Sequence, residues 1–219
     1  MNHVLPLFPL DAVLLPETHL PFHVFEPRYR AMLADALAGT RLIGLHTLDP
    51  AAPALSDGRP GLLPFGCAGE IVEHEALPDG RSNIVLHGVF RYRVEAERTG
   101  RAYRVAEVEE APVLPLPAGR EGGPGRRDLR RLLSRSVDRL AVSVGRTEAR
   151  HLPGTLSDEG LVNEAATRLG LGAEDRYALL AMRSLEERYD WVLDRLRSLQ
   201  ARVDLLAPFR RDGLDPRWN

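Results

Sequence analysis

The sequence predicts an α+β fold: a small N-terminal β-barrel with one helix, followed by a C-terminal helical bundle that ends in a long helix. The first half contains several short apolar runs separated by Gly, Pro and Asp turn signals, which is typical of a barrel. The second half repeats apolar residues at helical spacing. Between them, the stretch VLPLPAGREGGPG is too rich in proline and glycine to continue a strand or a helix. We therefore predict a barrel over 1–115, a linker over 113–125 and a helical subdomain over 126–210.

The strands of the barrel are predicted from alternation and from their turns. Residues 83–94 are rich in β-branched and aromatic residues, and Gly88 in their middle indicates a bulge or a bend. Residues 69–88 are predicted to form a hairpin, because Asp79 and Gly80 supply a turn with positive φ. The other strand candidates are 4–8, 12–15, 42–47 and 102–111.

The stretch HLPFHVFEPRYRAML, residues 19–33, changes abruptly from apolar to charged and predicts a corner between a strand and a helix. Pro27 fits the first turn of that helix, where its missing amide hydrogen costs nothing, and Gly39 ends it. Glu26 suits the positive end of the helix dipole, and Arg28 is placed to bind a nearby carboxylate or carbonyl. We interpret the corner as structural, with function nearby but not in it; its residues are Phe25, Glu26, Pro27, Arg28 and Tyr29.

Four helices are predicted in the second half: 126–144, 157–170, 173–182 and a last helix from Ser184. In the last helix, Ser184 and Glu187 form a capping box. Apolar residues then alternate at steps of four and three over 185–206, which makes a heptad seam. We expect this seam to pack inside the bundle, with packing against another chain as the alternative. The expected state is a monomer or a weak homodimer.

The basic residues exclude several activities. The sequence contains 29 arginines and no lysine. A phosphate-binding loop of the Walker type needs a lysine, and so does a Ser–Lys catalytic dyad. We therefore expect neither ATP hydrolysis nor proteolysis from these residues.

No catalytic, cofactor-binding or metal-binding residue is predicted. His19 and His23 have helical metal-ligand spacing, but Pro21 between them favours an extended segment, which would hold them roughly 13 Å apart. Cys67, the one cysteine, is expected to be a small buried thiol. No apolar run is long enough to cross a membrane and no secretory signal begins the chain, so we expect a cytoplasmic protein without a membrane partner.

Two groups of residues are candidates for binding a partner. The first is apolar and comes from the proline-rich N-terminal segment; it consists of Leu7, Phe8 and Phe22. The second lies on the basic face of the helix after the linker and consists of Arg127, Arg130 and Arg131. A solvated helix face is the commoner meaning of such a basic cluster.

Three segments resemble the N-terminal domain of Lon proteases, a type of domain that cereblon-like proteins also contain. They are LPLFPLDAVLLPETHLPFHVFEPRYRAML (5–33), FGCAGEIVEHEALPDGRSNIVLHGVFRYRV (65–94) and ALLAMRSLEERYDWVLDRLRSLQARVDLL (178–206). The second segment includes a Gly-x-x-Arg strand, here Gly88 and Arg91. The resemblance implies a PUA-like barrel followed by a helical bundle, acting as a domain that recognises polypeptide substrates.

The departures from Lon proteases shape the functional expectation. Those proteases continue into an ATPase module and a Ser–Lys peptidase domain, whereas this sequence ends at Asn219 without a lysine. The resemblance therefore implies a non-catalytic domain that binds unfolded polypeptide or a protein partner. The alternative is RNA binding, because PUA-like barrels often bind RNA and the arginines of 126–135 are suited to contact a phosphate backbone.

Overall fold

A computed structural model describes residues 1–53, 58–117, 126–129, 131–132 and 156–206. Its strands are β1 (Asn2–Leu10), β2 (His19–Val24), β3 (Leu42–Leu48), β4 (Leu62–Ala76), β5 (Ser82–Arg98) and β6 (Arg104–Glu110). Its helices are α1 (Pro27–Ala38), α2 (Asp158–Arg168), α3 (Ala173–Ala181) and α4 (Leu185–Leu206). The predicted α+β fold, a barrel followed by helices, is confirmed.

Five of the strands close into a barrel. The strand order is β2-β5-β4-β3-β1-β6, and a further pairing of β5 with β6 joins the two ends. β1 lies between β3, to which it is parallel, and β6, to which it is antiparallel. β2 is added at the side, where it pairs with the N-terminal part of β5. Closure gives the barrel strands two partners each, so their backbone groups are paired around the ring.

The barrel interior is filled around the ring of Tyr92. A Cβ atom at Gly44 would lie 2.6 Å from the Tyr92 hydroxyl oxygen, and one at Gly66 would lie 2.5 Å from it. Only glycine therefore leaves room for this ring between β3 and β4. His46 closes the group, with its Nδ1 atom 3.1 Å from the Tyr92 hydroxyl and its Nε2 atom 2.6 Å from the Leu63 carbonyl oxygen.

A second core joins the outside of the barrel to α1 and to the C-terminal helices. It is formed by buried apolar residues from all three parts, including Leu14, Met32, Ile71, Leu161, Leu180, Val192 and Leu196. The barrel and the helices thus share one apolar core, which holds them together by burial of apolar surface.

Most local features predicted from the sequence are present. Gly80 has a φ of +81° in the turn between β4 and β5, as the hairpin prediction requires. The register between β4 and β5 shifts at Gly88, so the predicted bulge is confirmed. A Cβ atom there would lie 2.1 Å from the Leu15 carbonyl oxygen, which explains why the close approach needs glycine.

The strand predicted at 12–15 is wrong. Its residues Val13, Leu14 and Leu15 are buried, but they belong to no strand. The chain turns directly after them, because the Thr18 amide donates to the Leu15 carbonyl oxygen at 3.2 Å. A segment that is buried but does not pair with a neighbouring strand has the same run of apolar residues as a buried strand, so the sequence does not distinguish the two.

The predicted helices at 157–170, 173–182 and from Ser184 are confirmed as α2, α3 and α4. Of the helix predicted at 126–144, the described residues 126–129 and 131–132 are helical. In the seam of α4, the first four apolar residues, Leu185, Tyr189, Val192 and Leu196, are buried within the chain. The side chains at 199, 203 and 206, like Pro208, lie outside the described residues.

Candidate functional site

Two adjoining hollows lie beside the β5–β6 hairpin: the first faces the start of α1 and the ends of β1 and β3, and the second faces the C-terminal part of α1 and the first half of β1. The first has a volume of about 350 Å³ and the second about 380 Å³. They share the residues Arg98, Thr99, Arg101 and Tyr103 of the hairpin. We call the two hollows together the groove. Its size and open shape suit an extended ligand rather than an enclosed small molecule.

The first hollow is lined largely by arginines. Five of them take part, from three separate parts of the chain: Arg28, Arg59, Arg98, Arg101 and Arg104. Among the described residues that line this hollow, none is acidic. These five arginines pair with four carboxylates that lie around the hollow, those of Glu26, Asp35, Glu97 and Glu107, which leaves the group a formal net charge of +1. The N-terminus of α1 adds a partial positive charge.

One arginine of the hollow is fixed by a buried network. Arg104 is 7% exposed. Its Nε atom donates to Glu97 at 2.9 Å, its Nη2 atom donates to the same carboxylate, and its Nη1 atom donates to the Pro60 carbonyl oxygen at 2.9 Å. Arg59 donates to Glu97 at 3.0 Å from the other side. This network anchors the β5–β6 hairpin and the wall of the groove.

Three other arginines are exposed. The side chains of Arg28, Arg98 and Arg101 are 54%, 53% and 61% exposed. Each donates to a single carboxylate, which belongs in turn to Glu26, Glu107 and Asp35, at 2.9, 2.9 and 2.7 Å. Exposed ion pairs of this kind contribute little to stability, so the arginines are accessible to a ligand at small cost.

The second hollow is more apolar. Its floor includes Val4 and Pro6 of β1 and Val105 of β6, and Val4 is 47% exposed. Tyr103 lies between the two hollows and donates its hydroxyl hydrogen to Asp35 over 2.5 Å. Burial, together with the Asp35 carboxylate, raises the pKa of Tyr103 to about 12, so the hydroxyl stays protonated as a donor.

The corner predicted from the sequence forms part of the groove wall. The Glu26 carbonyl oxygen accepts from the amides of Tyr29 and Arg30, which begins α1. Arg28 donates from Nε to Glu26 at 2.9 Å and lies 4.4 Å above the centre of the Tyr29 ring. Arg28 thus makes the carboxylate contact expected from its position. Phe25, by contrast, is 58% exposed and is not held in the core.

Arg91 lies at the junction of barrel and helices. It is 4% exposed, and its Nη1 atom donates to the carbonyl oxygens of Leu180 at 2.9 Å and Met182 at 2.8 Å. Its Nε atom donates to the Ala111 carbonyl oxygen at 2.6 Å. Burial lowers the pKa of Arg91 to about 10, where it is still charged at neutral pH. Its contacts are structural and bind the C-terminal end of α3 to β5.

A second arginine, Arg188, lies at the same junction as Arg91 and was not predicted from the sequence. It is 0% exposed, donates to the same two carbonyl oxygens and forms an ion pair with Glu159 at 2.8 Å. The signal was its position, three residues after Leu185 and four before Val192, on the buried face of α4. Arginine on that face indicates a buried polar contact.

The apolar partner-binding candidates need correction. Leu7 is 0% exposed inside the barrel and Phe8 is 3% exposed in the second core, so neither is available to a partner. Both are buried because the barrel interior covers one face of β1 and α1 covers the other. Phe22 is half-buried and packs 5.5 Å from the ring of Phe8. It borders a separate hollow on β2 and not the groove.

Two of the basic candidates, Arg127 and Arg131, lie outside the groove as well. Arg127 and Arg131 are exposed, and Arg131 donates to Asp128 at 2.8 Å on the same helical segment. Arg130 lies outside the described residues. The described arginines that converge on the first hollow are instead Arg28 of α1, Arg59, and three arginines of the β5–β6 hairpin.

The turn residues Asp79 and Gly80 lie at the tip of the β4–β5 hairpin. The Asp79 carboxylate accepts from the Arg81 guanidinium and from the Arg81 amide at 3.0 Å, and these bonds lower the pKa of Asp79 to about 2. The Asp79 carboxylate therefore remains negatively charged even at acidic pH.

The remaining titratable candidates are accounted for by local contacts. His19 lies 4.6 Å from the ring of His87, and His23 bonds to Asn83 at 2.8 Å. Cys67 is 1% exposed, and burial raises the pKa of its thiol, which makes it a poor nucleophile. Within the described ranges, no three His, Cys, Asp or Glu side chains cluster closely enough to hold a metal ion. None of the described helices is both long and apolar enough to span a bilayer.

A family model of the ATP-dependent protease La (LON) substrate-binding domain matches residues 4–198. The chain belongs to this family. It is similar to a protein from Flavobacterium johnsoniae named Lon protease, at 23% identity over 215 residues, which cover 92% of this chain and 24% of the relative. The chain thus spans about a quarter of that relative's length.

Two solved structures share the fold. One is the crystal structure of a Lon N-terminal domain protein from Xanthomonas campestris, at 24% identity with a TM-score of 0.62; it covers 88% of this chain and 98% of that one. The other is the N-terminal domain of a Lon protease from the Mycobacterium avium complex, at 17% identity with a TM-score of 0.67; it covers 89% of this chain and 98% of that one. The resemblance noted in the sequence is confirmed.

Proposed function

We propose that this chain recognises polypeptides, as unfolded segments or as part of a protein partner, and that it binds them in the groove. The observation that carries the proposal is the pairing of an apolar hollow with an arginine-lined one on a single open surface. Apolar surface left exposed next to polar groups is typical of interaction sites. Membership of a substrate-binding domain family supports the same function.

The proposed role is binding without catalysis. Among the described residues that line the groove there is no serine, cysteine, histidine or lysine. The groove does hold a hydroxyl bonded to a carboxylate, that of Tyr103 next to Asp35, but a pKa of about 12 keeps this hydroxyl protonated and makes it a poor nucleophile. We expect purified protein neither to hydrolyse ATP nor to cleave casein, and activity that follows the protein through successive columns would contradict the proposal.

Matched substitutions at two exposed valines test the location of the site. Val4 in the groove is 47% exposed, and Val72 on β4, outside it, is 43% exposed. Val4→Asp places a charge on the apolar floor and should weaken the binding of a labelled unstructured peptide rich in Leu and Val, as followed by fluorescence anisotropy. Val72→Asp should leave that binding unchanged. Equal effects of the two substitutions would place the site elsewhere.

RNA binding is the alternative, and the groove does not favour it. Single-stranded nucleic acid is usually held by exposed aromatic rings on which bases stack. The two tyrosines that line the groove, Tyr29 and Tyr103, are only 5% and 9% exposed. An RNA oligonucleotide that bound tightly, with affinity falling steeply as salt rises, would support the alternative.

The oligomeric state stays a prediction: a monomer or a weak homodimer. The first half of the α4 seam is buried within the chain, which removes four apolar residues from any interface. Sedimentation velocity over a range of concentrations tests this, and a large oligomer that persists on dilution would contradict it.

A further inference from the structure

The arginines of the groove still have donors to offer. A guanidinium group carries five N–H groups. Arg98 uses its Nε and Nη2 atoms on Glu107, and Arg101 uses its Nη1 atom on Asp35. Both side chains are more than half exposed. The donors not used in these bonds can bind a further carboxylate without breaking the existing pairs.

The wall that carries these arginines is held in place. Arg104, buried beneath them, bonds to Glu97 and to the Pro60 carbonyl oxygen, and these contacts fix the two strands that flank the hairpin. A ligand carboxylate would therefore meet donors on a supported surface. This preorganisation lowers the entropic cost of binding, compared with arginines on an isolated loop.

The two ends of the groove differ in chemistry. At one end, the described lining contains five arginines without an acidic residue. At the other, Val4, Pro6 and Val105 supply apolar surface, and the one carboxylate there, Asp35, is already bonded to Tyr103 and Arg101. A ligand that matches both ends carries negative charge next to aliphatic side chains.

We infer that the groove selects acidic polypeptide segments, in which Asp or Glu is bound by Arg98 and Arg101 while a neighbouring aliphatic residue lies on Val4 and Val105. The planar guanidinium fork matches the two oxygens of a carboxylate, which gives the contact geometry as well as charge. The inference rests on the proposed polypeptide binding and adds the class of segment that is bound.

A pair of peptides tests the charge requirement on the unaltered protein. Both are unstructured and labelled; one contains Leu, Val and two adjacent Glu residues, and in the other both Glu are replaced by Gln. Fluorescence anisotropy should show about tenfold weaker binding of the Gln peptide, the effect of two exposed charge pairs of ordinary strength. Rising salt should reduce the difference between the two peptides.

A pair of double variants tests the residues. Arg98→Gln with Arg101→Gln removes both charges from the groove. Arg131→Gln with Arg197→Gln is the matched control, because both of its arginines are 60% exposed and each is paired with one aspartate at i,i+3. The groove variant should bind the Glu peptide about tenfold more weakly and lose its preference over the Gln peptide, while the control keeps both. Circular dichroism checks that each variant is folded.

The outcomes separate the two claims. Equal binding of both peptides by the unaltered protein would overturn the acidic preference and leave polypeptide binding in place. Binding of neither peptide would overturn both. Equal loss of Glu-peptide binding in the groove and control variants would show an effect of net charge alone and overturn the assignment to Arg98 and Arg101. Tight RNA binding that displaces the Glu peptide and is lost in the groove variant would assign the arginines to phosphates.

Discussion

The junction between barrel and helices and the groove both depend on arginine, but in opposite ways. At the junction, Arg91 and Arg188 are almost fully buried, and both donate to the carbonyl oxygens of Leu180 and Met182. In the groove, Arg98 and Arg101 are more than half exposed and each donates to one carboxylate. The same side chain stabilises the fold in one place and remains available to a ligand in the other.

The difference shows that exposure and the number of occupied donors indicate an arginine's function better than its charge does. A buried guanidinium must satisfy its N–H groups within the fold, because unpaired buried donors are costly. An exposed one has water as a partner and can exchange that water for a ligand. Substitutions at the two sites should therefore differ strongly in their effect on stability.

The largest effect is expected at the junction. Arg188→Met removes the donors that pair with Glu159 and with the end of α3, and leaves a partly buried carboxylate without its ion pair. We expect the free energy of unfolding to fall by about 3–5 kcal/mol. Urea denaturation followed by circular dichroism measures it, with Arg197→Gln as the exposed control. A loss below about 1 kcal/mol would show that Arg91 holds the junction alone.

The barrel interior offers a third setting, as buried as the junction but without an ion pair. Burial lowers the pKa of His46 to about 4, against about 6.5 for an exposed histidine. As pH falls, the unfolded chain binds a proton at this histidine before the folded protein does. The stability that depends on a neutral His46 is therefore fully present above about pH 6.5 and is lost as pH falls towards 4. The loss for this one group should be about 3 kcal/mol.

The substitution His46→Gln tests this effect, because it removes the titrating group and keeps a polar side chain beside Tyr92. The free energy of unfolding should then depend less steeply on pH between about 6.5 and 4 than in the unaltered protein. An unchanged slope in His46→Gln would show that other groups dominate acid unfolding.

An intermediate effect is expected for the one buried arginine of the groove. Arg104→Met removes two donors from Glu97 and one from the Pro60 carbonyl oxygen, but Arg59 still pairs with that carboxylate. We expect a loss of about 2 kcal/mol in the free energy of unfolding. A loss as large as that at Arg188 would mean that the groove wall is as much a part of the core as the junction is.

The smallest effect on stability is expected at the exposed wall. Arg98→Gln breaks only its pair with Glu107, so the free energy of unfolding should change by less than about 0.5 kcal/mol. The same variant should still weaken binding of the acidic peptide. A destabilisation above about 1 kcal/mol would remove the contrast between the groove and the junction.

The parts of the fold that the sequence predicted correctly depend on neighbouring residues. The α4 cap uses Ser184 and Glu187, whose amide lies 3.5 Å from the serine hydroxyl oxygen, and the β4–β5 turn uses Asp79 and Gly80. Both are fixed by short-range geometry that a sequence displays directly. The corner at Glu26 and Pro27 is of the same kind.

The groove was not predictable in this way. Its arginines come from positions 28, 59, 98, 101 and 104 and are brought together only by closure of the barrel. No local spacing marks them, whereas the basic cluster at 127–131 is conspicuous in the sequence, and its described members Arg127 and Arg131 lie outside the groove. The prediction that Leu7 and Phe8 bind a partner was wrong for a related reason, since the closure of the barrel over Leu7 and the packing of α1 on Phe8 are tertiary contacts.

The position of β1 in the barrel has a consequence for how the molecule is made. β1 pairs with β6 so that Asn2 lies opposite Glu109, and its other partner among the described strands is β3. Folds built on such distant pairings are slow to form, because a long loop must close before the contacts compensate for it. During synthesis β1 leaves the ribosome before β2 to β6, but it gains its second neighbour when β6 appears. Until residues 104–110 emerge, every nascent copy carries an apolar strand with one edge unpaired.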